Sequence, residues 1–202
     1  TEDLVDLIAD IKPTIPRYCR VNRIIRDIPS TNVVAGNKRT SLRQDVQQKL
    51  AERGTACLCI RCREVRSQQV IASTLTREDL VYTTGTSEEH FLAFNTPNDQ
   101  LAGFLRLSLP NPDAIHTDMG DLDGAAIIRE VHVYGQSLPV GSEANGAAQH
   151  SGLGTLLLDW SAALASERGY ARIAVISAVG TRRYYLDRGF ERGELYLVKQ
   201  LK

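Results

Sequence analysis

Gln149-His150-Ser151-Gly152-Leu153-Gly154 runs directly into an amphipathic stretch in which Leu153, Leu156, Leu157, Trp160 and Leu164 recur at spacings of three and four. That period is helical, so the glycine-rich turn opens a helix and presents free backbone N–H groups at its positive end. Such an end takes an anion. Gly152 and Gly154 carry no Cβ, which lets a diphosphate approach the main chain with no side-chain charge to hold it. Taken alone, the same glycines also fit plain turn chemistry at a loop-to-helix junction. Their neighbours add direction: IIREVHVY, residues 127 to 134, reads as a strand leading in, and ARIAVIS, residues 171 to 177, as a strand leading out.

Working outward, Thr181 is placed to cap a short helix carrying Tyr184 and Tyr185, Gly189 ends it, and Glu194 to Val198 supplies a closing strand. Upstream, strand-like stretches at 70–83, 90–94 and 101–109 are separated by turns at Thr84-Gly85-Thr86 and Pro97-Asn98-Asp99, a meander of hairpins. Polar irregular segments fill 110–124 and 136–148. The reading predicts an α/β (α+β) fold with a mixed, mainly antiparallel central sheet flanked by helices, preceded by a small basic helical or irregular extension.

That extension has its own character. Residues 1–10 suit a short amphipathic helix, which Pro13 and Pro16 stop. Arginines then recur at every third position, Arg17, Arg20, Arg23 and Arg26, so that on a helix or a twisted extended segment they form a stripe; Lys38, Arg39 and Arg43 extend the basic set. Lys38, Arg39 and Arg43 read as part of a helix with Leu42, Val46 and Leu50 on its other side and Gly54 as its stop. Between residues 11 and 67 there are 13 Lys and Arg against 4 Asp and Glu, whereas from 68 to 202 there are 11 against 16. A boundary near residue 67 follows, giving parts 1–67 and 68–202, the first suited to a polyanion such as RNA.

Three of the four cysteines fall in Cys57-Leu58-Cys59-Ile60-Arg61-Cys62. Neighbours this close bridge each other only with strain, so a reducing compartment, the cytoplasm, is expected. C-x-C-x-x-C brings three sulfurs within reach of one structural zinc ion, which wants four ligands. Cys19, His90, His116 and His132 are all eligible as the fourth, and three reduced thiols on a strand are the other reading. No stretch reaches the ~20 apolar residues of a membrane span, the start is unlike a signal peptide, and the absence of an initiator Met suggests a processed or excised piece. Glu130 is a candidate for activating an incoming water or amine, with His132 on the same strand face.

Strand, Q-x-x-G-x-G, long helix, strand and Tyr184-Tyr185-Leu186-Asp187-Arg188-Gly189-Phe190 together resemble the acyl-CoA-binding half of the GNAT acetyltransferases. The resemblance implies that Gln149, His150, Ser151, Gly152, Leu153, Gly154 and Thr155 cradle the pyrophosphate of acetyl-CoA and that the backbone around Val133 pairs with its pantetheine arm. It also implies that Tyr185, five residues before Phe190, acts near the thioester sulfur, with Tyr184 in the same pocket. Five blocks narrow it further: Arg26-Asp27-Ile28-Pro29, Cys59 to Val65, Arg129 to Gly135, Gln149 to Gly154, and Ala174 to Tyr185 resemble the C-terminal part of the Elongator catalytic subunit. That family joins a radical-SAM domain to a GNAT-like acetyltransferase domain, modifies the wobble uridine of tRNA, and has also been described as a histone acetyltransferase. By this resemblance residues 1–67 are the end of a radical-SAM domain, tRNA is a partner through Arg17, Arg20, Arg23, Arg26, Lys38 and Arg39, and other Elongator-type subunits or a second copy are further partners. The sequence departs from the family in having no C-x-x-x-C-x-x-C triplet. S-adenosylmethionine and an iron–sulfur cluster are therefore expected only in a full-length chain, leaving acetyl-CoA binding, with transfer or hydrolysis, to this one. Lysine acetylation, and an RNA-binding module that holds CoA only as a structural ligand, are the competing readings.

Overall fold

The computed structural model describes residues 2–24, 28–39, 41–66, 68, 70–111, 118–135 and 152–201. The chain divides into two compact units, Thr1–Glu64 and Val65–Lys202, each with its own apolar core.

The first unit holds helices α1 (Glu2–Ile11), α2 (Leu42–Glu52) and the single turn α3 (Ile60–Arg63). Val5 and Ala9, one turn apart on α1, are buried with Leu42, Val46 and Leu50, which repeat every four residues on α2. Cys57 and Cys59 belong to the same core. On the outer face Lys49 and Arg53 reach Asp6 at 2.9 and 2.6 Å, and Arg53 reaches Asp10 at 2.6 Å. Residues 15–24 are neither helix nor strand, so Arg17, Arg20 and Arg23 lie on an irregular segment.

The second unit is built on one seven-stranded sheet in the order β1-β2-β3-β4-β5-β7-β6. Its strands are β1 (Thr76–Thr83), β2 (Ser87–Asn95), β3 (Leu101–Pro110), β4 (Ala125–Val133), β5 (Arg172–Val175), β6 (Glu191–Arg192) and β7 (Leu197–Gln200). Every pair is antiparallel except β4 with β5, so the mixed, mainly antiparallel sheet flanked by helices is the one expected. A parallel pair needs a crossover, and α4 (Leu153–Glu167) supplies it. Leu153, Leu157, Ser161 and Ala165 form the buried ridge of α4 at strict spacing of four, joined by Gly154 and Leu158. Leu156, assigned to the apolar face from sequence, is 43% exposed because that ridge leaves it on the outer side. Leu153, Leu157 and Leu158 share a core with Leu105 and Leu107 of β3, Ile128 of β4 and Val175 of β5.

Two other boundaries moved. No strand forms over 70–75, where a 3-10 turn at Ala72–Thr74 intervenes and Ile71 is exposed. Residues 194–196, read as part of the closing strand, are a turn instead: the Asp121 carboxylate accepts the backbone N–H groups of Glu194, Leu195 and Tyr196 at 3.1, 2.7 and 2.9 Å. Those three donors, Tyr196 first, hold the Asp121 carboxyl below the usual aspartate range.

Truncating Leu157 to Ala should cost about 2–5 kcal/mol in urea denaturation, the range for an emptied leucine site in a core; an unchanged midpoint would mean that α4 does not anchor the sheet. Asp121→Asn should also lower the midpoint at neutral pH. Because the folded carboxyl titrates below its unfolded value, its contribution is full above the ordinary aspartate range and lost as pH falls through the folded value. The difference between the two proteins should therefore shrink in acid, and a pH-independent difference would reject this account.

Candidate active site

The parallel pairing runs only from Ala125 opposite Arg172 to Ile128 opposite Val175. There β5 ends, while β4 continues for five residues to Val133 with no strand on that edge among the described residues. The strands part, and a backbone edge able to pair with an extended ligand is left in the gap. On the other side of β4 the register slips: Arg106 faces Glu130 but Leu107 faces Ile128, so Arg129 is the extra residue of a β-bulge at the point of parting. Ser177, two residues past β5, has its hydroxyl oxygen buried without a hydrogen-bond partner among the described residues. A buried orphan hydroxyl beside an unfilled strand edge marks a place where a ligand group belongs.

The N-terminus of α4 closes one end of this region. Gly152 caps it with no side-chain hydrogen bond, leaving the first-turn N–H groups without a side-chain acceptor among the described residues. A Cβ on Gly154 would overlap the Tyr184 hydroxyl and lie 3.8 Å from Val133 Cγ2, so glycine is what allows β4, α4 and the helix α5 (Arg182–Leu186) to converge. Arg188 fixes the arrangement. Its Nε donates to Thr155 Oγ1 at 3.0 Å, its Nη1 to the Tyr184 carbonyl at 2.7 Å, and its guanidinium lies 3.6 Å from the Tyr184 ring centre. Val133, Gly152, Leu153, Gly154, Thr155 and Tyr184 are thus neighbours. Gln149, His150 and Ser151 lie outside the described residues.

Tyr185 points a different way from Tyr184. It is 8% exposed, meets Tyr184 and Phe190 edge-on with ring centres 5.3 and 5.5 Å away, and belongs to the core. Burial pushes its phenol above the ordinary tyrosine value, with the Tyr184 phenol adding to the shift. At neutral pH it is a protonated donor. Glu130 is engaged at both oxygens, by Arg106 Nε at 2.7 Å and by His132 Nε2 at 2.8 Å. The two strand neighbours do sit together as their alternation predicted, with Phe104 stacked against His132 at 5.3 Å.

A cavity of about 400 Å³ lies at the point of parting, lined by Ile127, Ile128 and Arg129 of β4, Ile176 and Tyr196. Ser87 and Glu89 of β2 and Ser108 of β3 also line it. Glu89 is 2% exposed. None of these polar residues has a sequence signal of its own; cross-strand register alone brings them together.

In the first unit the sulfurs of Cys57, Cys59 and Cys62 lie within 4.8 Å of one another. Hydrogen bonds from Cys57 and then Cys62 push the Cys59 thiol down, while Cys57 and Cys59 push Cys62 up. Lys12 is 2% exposed, and its ammonium lies 3.7 Å from Cys62 Sγ. Of the four eligible fourth ligands, Cys19 accepts the Ile60 N–H through its carbonyl at 2.9 Å, next to the triplet. His90 is held between Asp79 and Glu88, and His132 against Glu130. His116 lies outside the described residues. Among the basic residues, Arg20 pairs with Glu64 and Arg39 with Asp45, Arg23 and Lys38 are exposed, Arg17 is half-buried, and Arg26 lies outside the described residues.

No protein-family model matches the chain. Individual relatives do. A tRNA uridine(34) acetyltransferase of Dehalococcoides mccartyi is 41% identical over 98% of this chain and 44% of its own length. Elongator complex protein 3 of Homo sapiens is 38% identical over 99% of this chain and 37% of its own. Among solved structures, the archaeal Methanocaldococcus infernus Elp3 lacking residues 1–46 superposes with a TM-score of 0.82 at 30% identity, covering 98% of this chain and 48% of that one. The chain spans less than half the length of these relatives. Across nearly all its residues the chain is homologous to a part of Elongator complex protein 3 and of tRNA uridine(34) acetyltransferase, and its fold matches the C-terminal region of the archaeal Elp3.

Proposed function

We propose that the second unit binds acetyl-CoA in the gap between β4 and β5 and transfers or hydrolyses its acetyl group as the acetyltransferase domain of a tRNA wobble-uridine-modifying enzyme of the carboxymethylation type. The parting of the two strands beside the uncapped end of α4, with the Ser177 hydroxyl orphaned beyond β5, carries this reading. The residues fit the group. Free N–H groups at Leu153, Gly154 and Thr155 suit a diphosphate, and the Arg188 guanidinium adds positive charge next to them. The main chain toward Val133 is open to an amide of the pantetheine arm. Tyr184 walls the diphosphate end.

Acetyl-CoA supplies an activated thioester. Around it, the Tyr185 phenol, kept protonated by burial, donates its proton to the departing sulfur. Glu130, held by Arg106, acts through His132, whose half-exposed imidazole it orients toward an incoming water or acceptor. The first unit, as the end of a radical-SAM domain, serves structure and RNA. Cys57, Cys59 and Cys62 hold zinc, and the buried Lys12 ammonium offsets the negative charge of the thiolates. Arg17, Arg20, Arg23, Arg26, Lys38 and Arg39 serve tRNA phosphates.

Calorimetry with acetyl-CoA should show binding to the unaltered chain; no heat would remove the reading. Ser177→Ala deletes an unpartnered hydroxyl, so it should leave thermal stability unchanged and weaken acetyl-CoA about tenfold at most, the worth of one hydrogen bond. Tyr185→Phe should retain binding while thiol release, with tRNA present, falls roughly a hundredfold. Equal release from the phenylalanine variant would rule out the phenol as proton donor. For the metal, elemental analysis should find about one zinc per chain, as one tetrahedral sulfur site requires. Chelation should then expose residues 1–64 to protease while residues 65–202 stay resistant, and metal-free protein with an unaltered digestion pattern would dismiss zinc.

A further inference from the structure

The hairpin of β6 and β7 ends at the cavity, and what holds it there comes from another part of the chain. Residues 193–196 join Arg192 of β6 to Leu197 of β7, which face each other. Within this connection the Gly193 N–H donates to the Tyr196 carbonyl at 2.9 Å. The next three N–H groups, of Glu194, Leu195 and Tyr196, all go to one acceptor, the Asp121 carboxylate. Successive main-chain donors converging on one point make an anion nest, and an aspartate from before β4 fills it. Gly193 is part of the fit, because a Cβ there would overlap the Asp121 carboxyl. Asp121 is itself held in place. It lies in the 3-10 turn Gly120–Leu122, and Arg172, the first residue of β5, donates from Nη2 to the Gly120 carbonyl at 2.9 Å and from Nε to the Asp123 carbonyl at 2.6 Å.

The position of Tyr196 gives this clasp its consequence. Strands β5 and β7 pair as far as Val175 opposite Leu197, so Ile176 and Tyr196 are the next residue on each strand, just past the last pair and just where β5 leaves β4. Both line the cavity of about 400 Å³ together with Ile127, Ile128 and Arg129 of β4. The ladder ends before Tyr196, so its place at the wall depends on the turn, and the turn depends on Asp121. Among the described residues lining the cavity, none is Gly154, Thr155, Tyr184 or Arg188, which gather at the other end of the gap.

We infer that Asp121 is a positioning residue for the reaction: by clasping residues 194–196 it fixes Tyr196 as a wall of the cavity at the reacting end of the thioester, so that the clasp governs turnover and leaves the grip on the coenzyme alone. This rests on the acetyl-CoA reading above, which sets the diphosphate at α4 and the thioester at the parting of the strands. Asp121 touches no substrate, and Tyr196 is the residue through which it acts. A carboxylate suits the role better than an amide, because the nest offers only donors. Asparagine accepts with one oxygen and turns an NH₂ group toward main-chain N–H groups.

The test is a double-mutant cycle on the full chain. It reads thiol release from acetyl-CoA with tRNA present and acetyl-CoA affinity by calorimetry, at a temperature where circular dichroism finds every variant folded. Asp121→Asn and Gly193→Ala unseat the carboxylate from its two sides. Each should lower release at saturating acetyl-CoA roughly tenfold or more, as small displacements near a reacting centre do, with an unchanged dissociation constant. Amide hydrogen exchange at residues 194–196 should quicken in both. Tyr196→Ala should lower release to a similar extent, and in its background the other two substitutions should have no further effect, since the residue they misplace is gone. Unchanged release in Asp121→Asn and Gly193→Ala, acetyl-CoA affinity that falls in step with release, or a full additional loss in the Tyr196→Ala background would each overturn the inference. No heat with acetyl-CoA, or no thiol release at all from the unaltered chain, rejects the reading beneath it; heat and release from the unaltered chain with indifferent variants reject this inference alone.

Discussion

Four residue pairs of parallel strand, from Ala125 with Arg172 to Ile128 with Val175, are the constraint on which the second unit depends. They are enough to fix β5 beside β4 and too few to close the sheet. Two features keep the zipper from running further. The bulge at Arg129 turns β4 just past the last pair, and β5 gives way after Val175 to an exposed Ile176. Helix α4 reinforces both, since its buried ridge shares a core with Ile128 and Val175, the residues of that last pair. An open sheet edge is costly to leave without partners in a folded interior, so a gap kept open by packing on one face and a bulge on the other is a site in waiting.

The polar groups around the gap separate by sheet face, and register determines which residue lands where. Residues of β3 alternate between Leu105, Leu107 and Leu109 in the core and Arg106 and Ser108 on the opposite face. Through the pairings Arg106 with Glu130 and Glu89 with Ser108, that second face collects an Arg106–Glu130–His132 cluster and a Glu89–Ser87–Ser108–Arg129 cluster. Each joins an acid to an arginine, so neither leaves a bare charge in the sheet. Buried carboxylates that are fully hydrogen-bonded hold geometry rather than move protons.

Much of this was legible in the sequence, and the remainder depended on three-dimensional register. Periodicity placed α4 and α2, alternation placed β2 to β4, and glycine spacing marked the helix end where Gly154, Val133 and Tyr184 meet. C-x-C-x-x-C was visible because its three sulfurs are local. Glu89, Arg129 and Ser177 were not visible: a glutamate and an arginine on exposed-looking strands declare nothing until the neighbouring strand is set against them. Leu156 failed because spacings of three and four both satisfy a helical pattern, while packing chose the four. The arginine repeat is harder to read for a related reason, since a period places side chains predictably only on a regular backbone, and residues 15–24 are neither helix nor strand. Arg20 and Arg39 are claimed by acids distant or adjacent in sequence, Glu64 and Asp45, which composition cannot assign.

The tyrosine pair shows how one short helix can hold two phenols in unlike surroundings. Consecutive residues on a helix project about 100° apart, so Tyr184 and Tyr185 cannot share an environment. The first stands over Gly154 under the Arg188 guanidinium, where a hydroxyl beside a cation and a helix N-terminus is suited to an anion. The second is driven into the core between Tyr184 and Phe190, where loss of solvent raises its proton affinity. Burial thus keeps the Tyr185 phenol protonated at neutral pH, which is what the proposed donation to a departing sulfur requires. Exposure would serve the other tyrosine equally badly, because a mobile Tyr184 would no longer fill the space against which the missing Cβ of Gly154 is defined. Arg188 therefore does more than add charge: by bonding the Tyr184 carbonyl and the Thr155 hydroxyl together it locks α5 to the start of α4, and with it the angle between the two phenols.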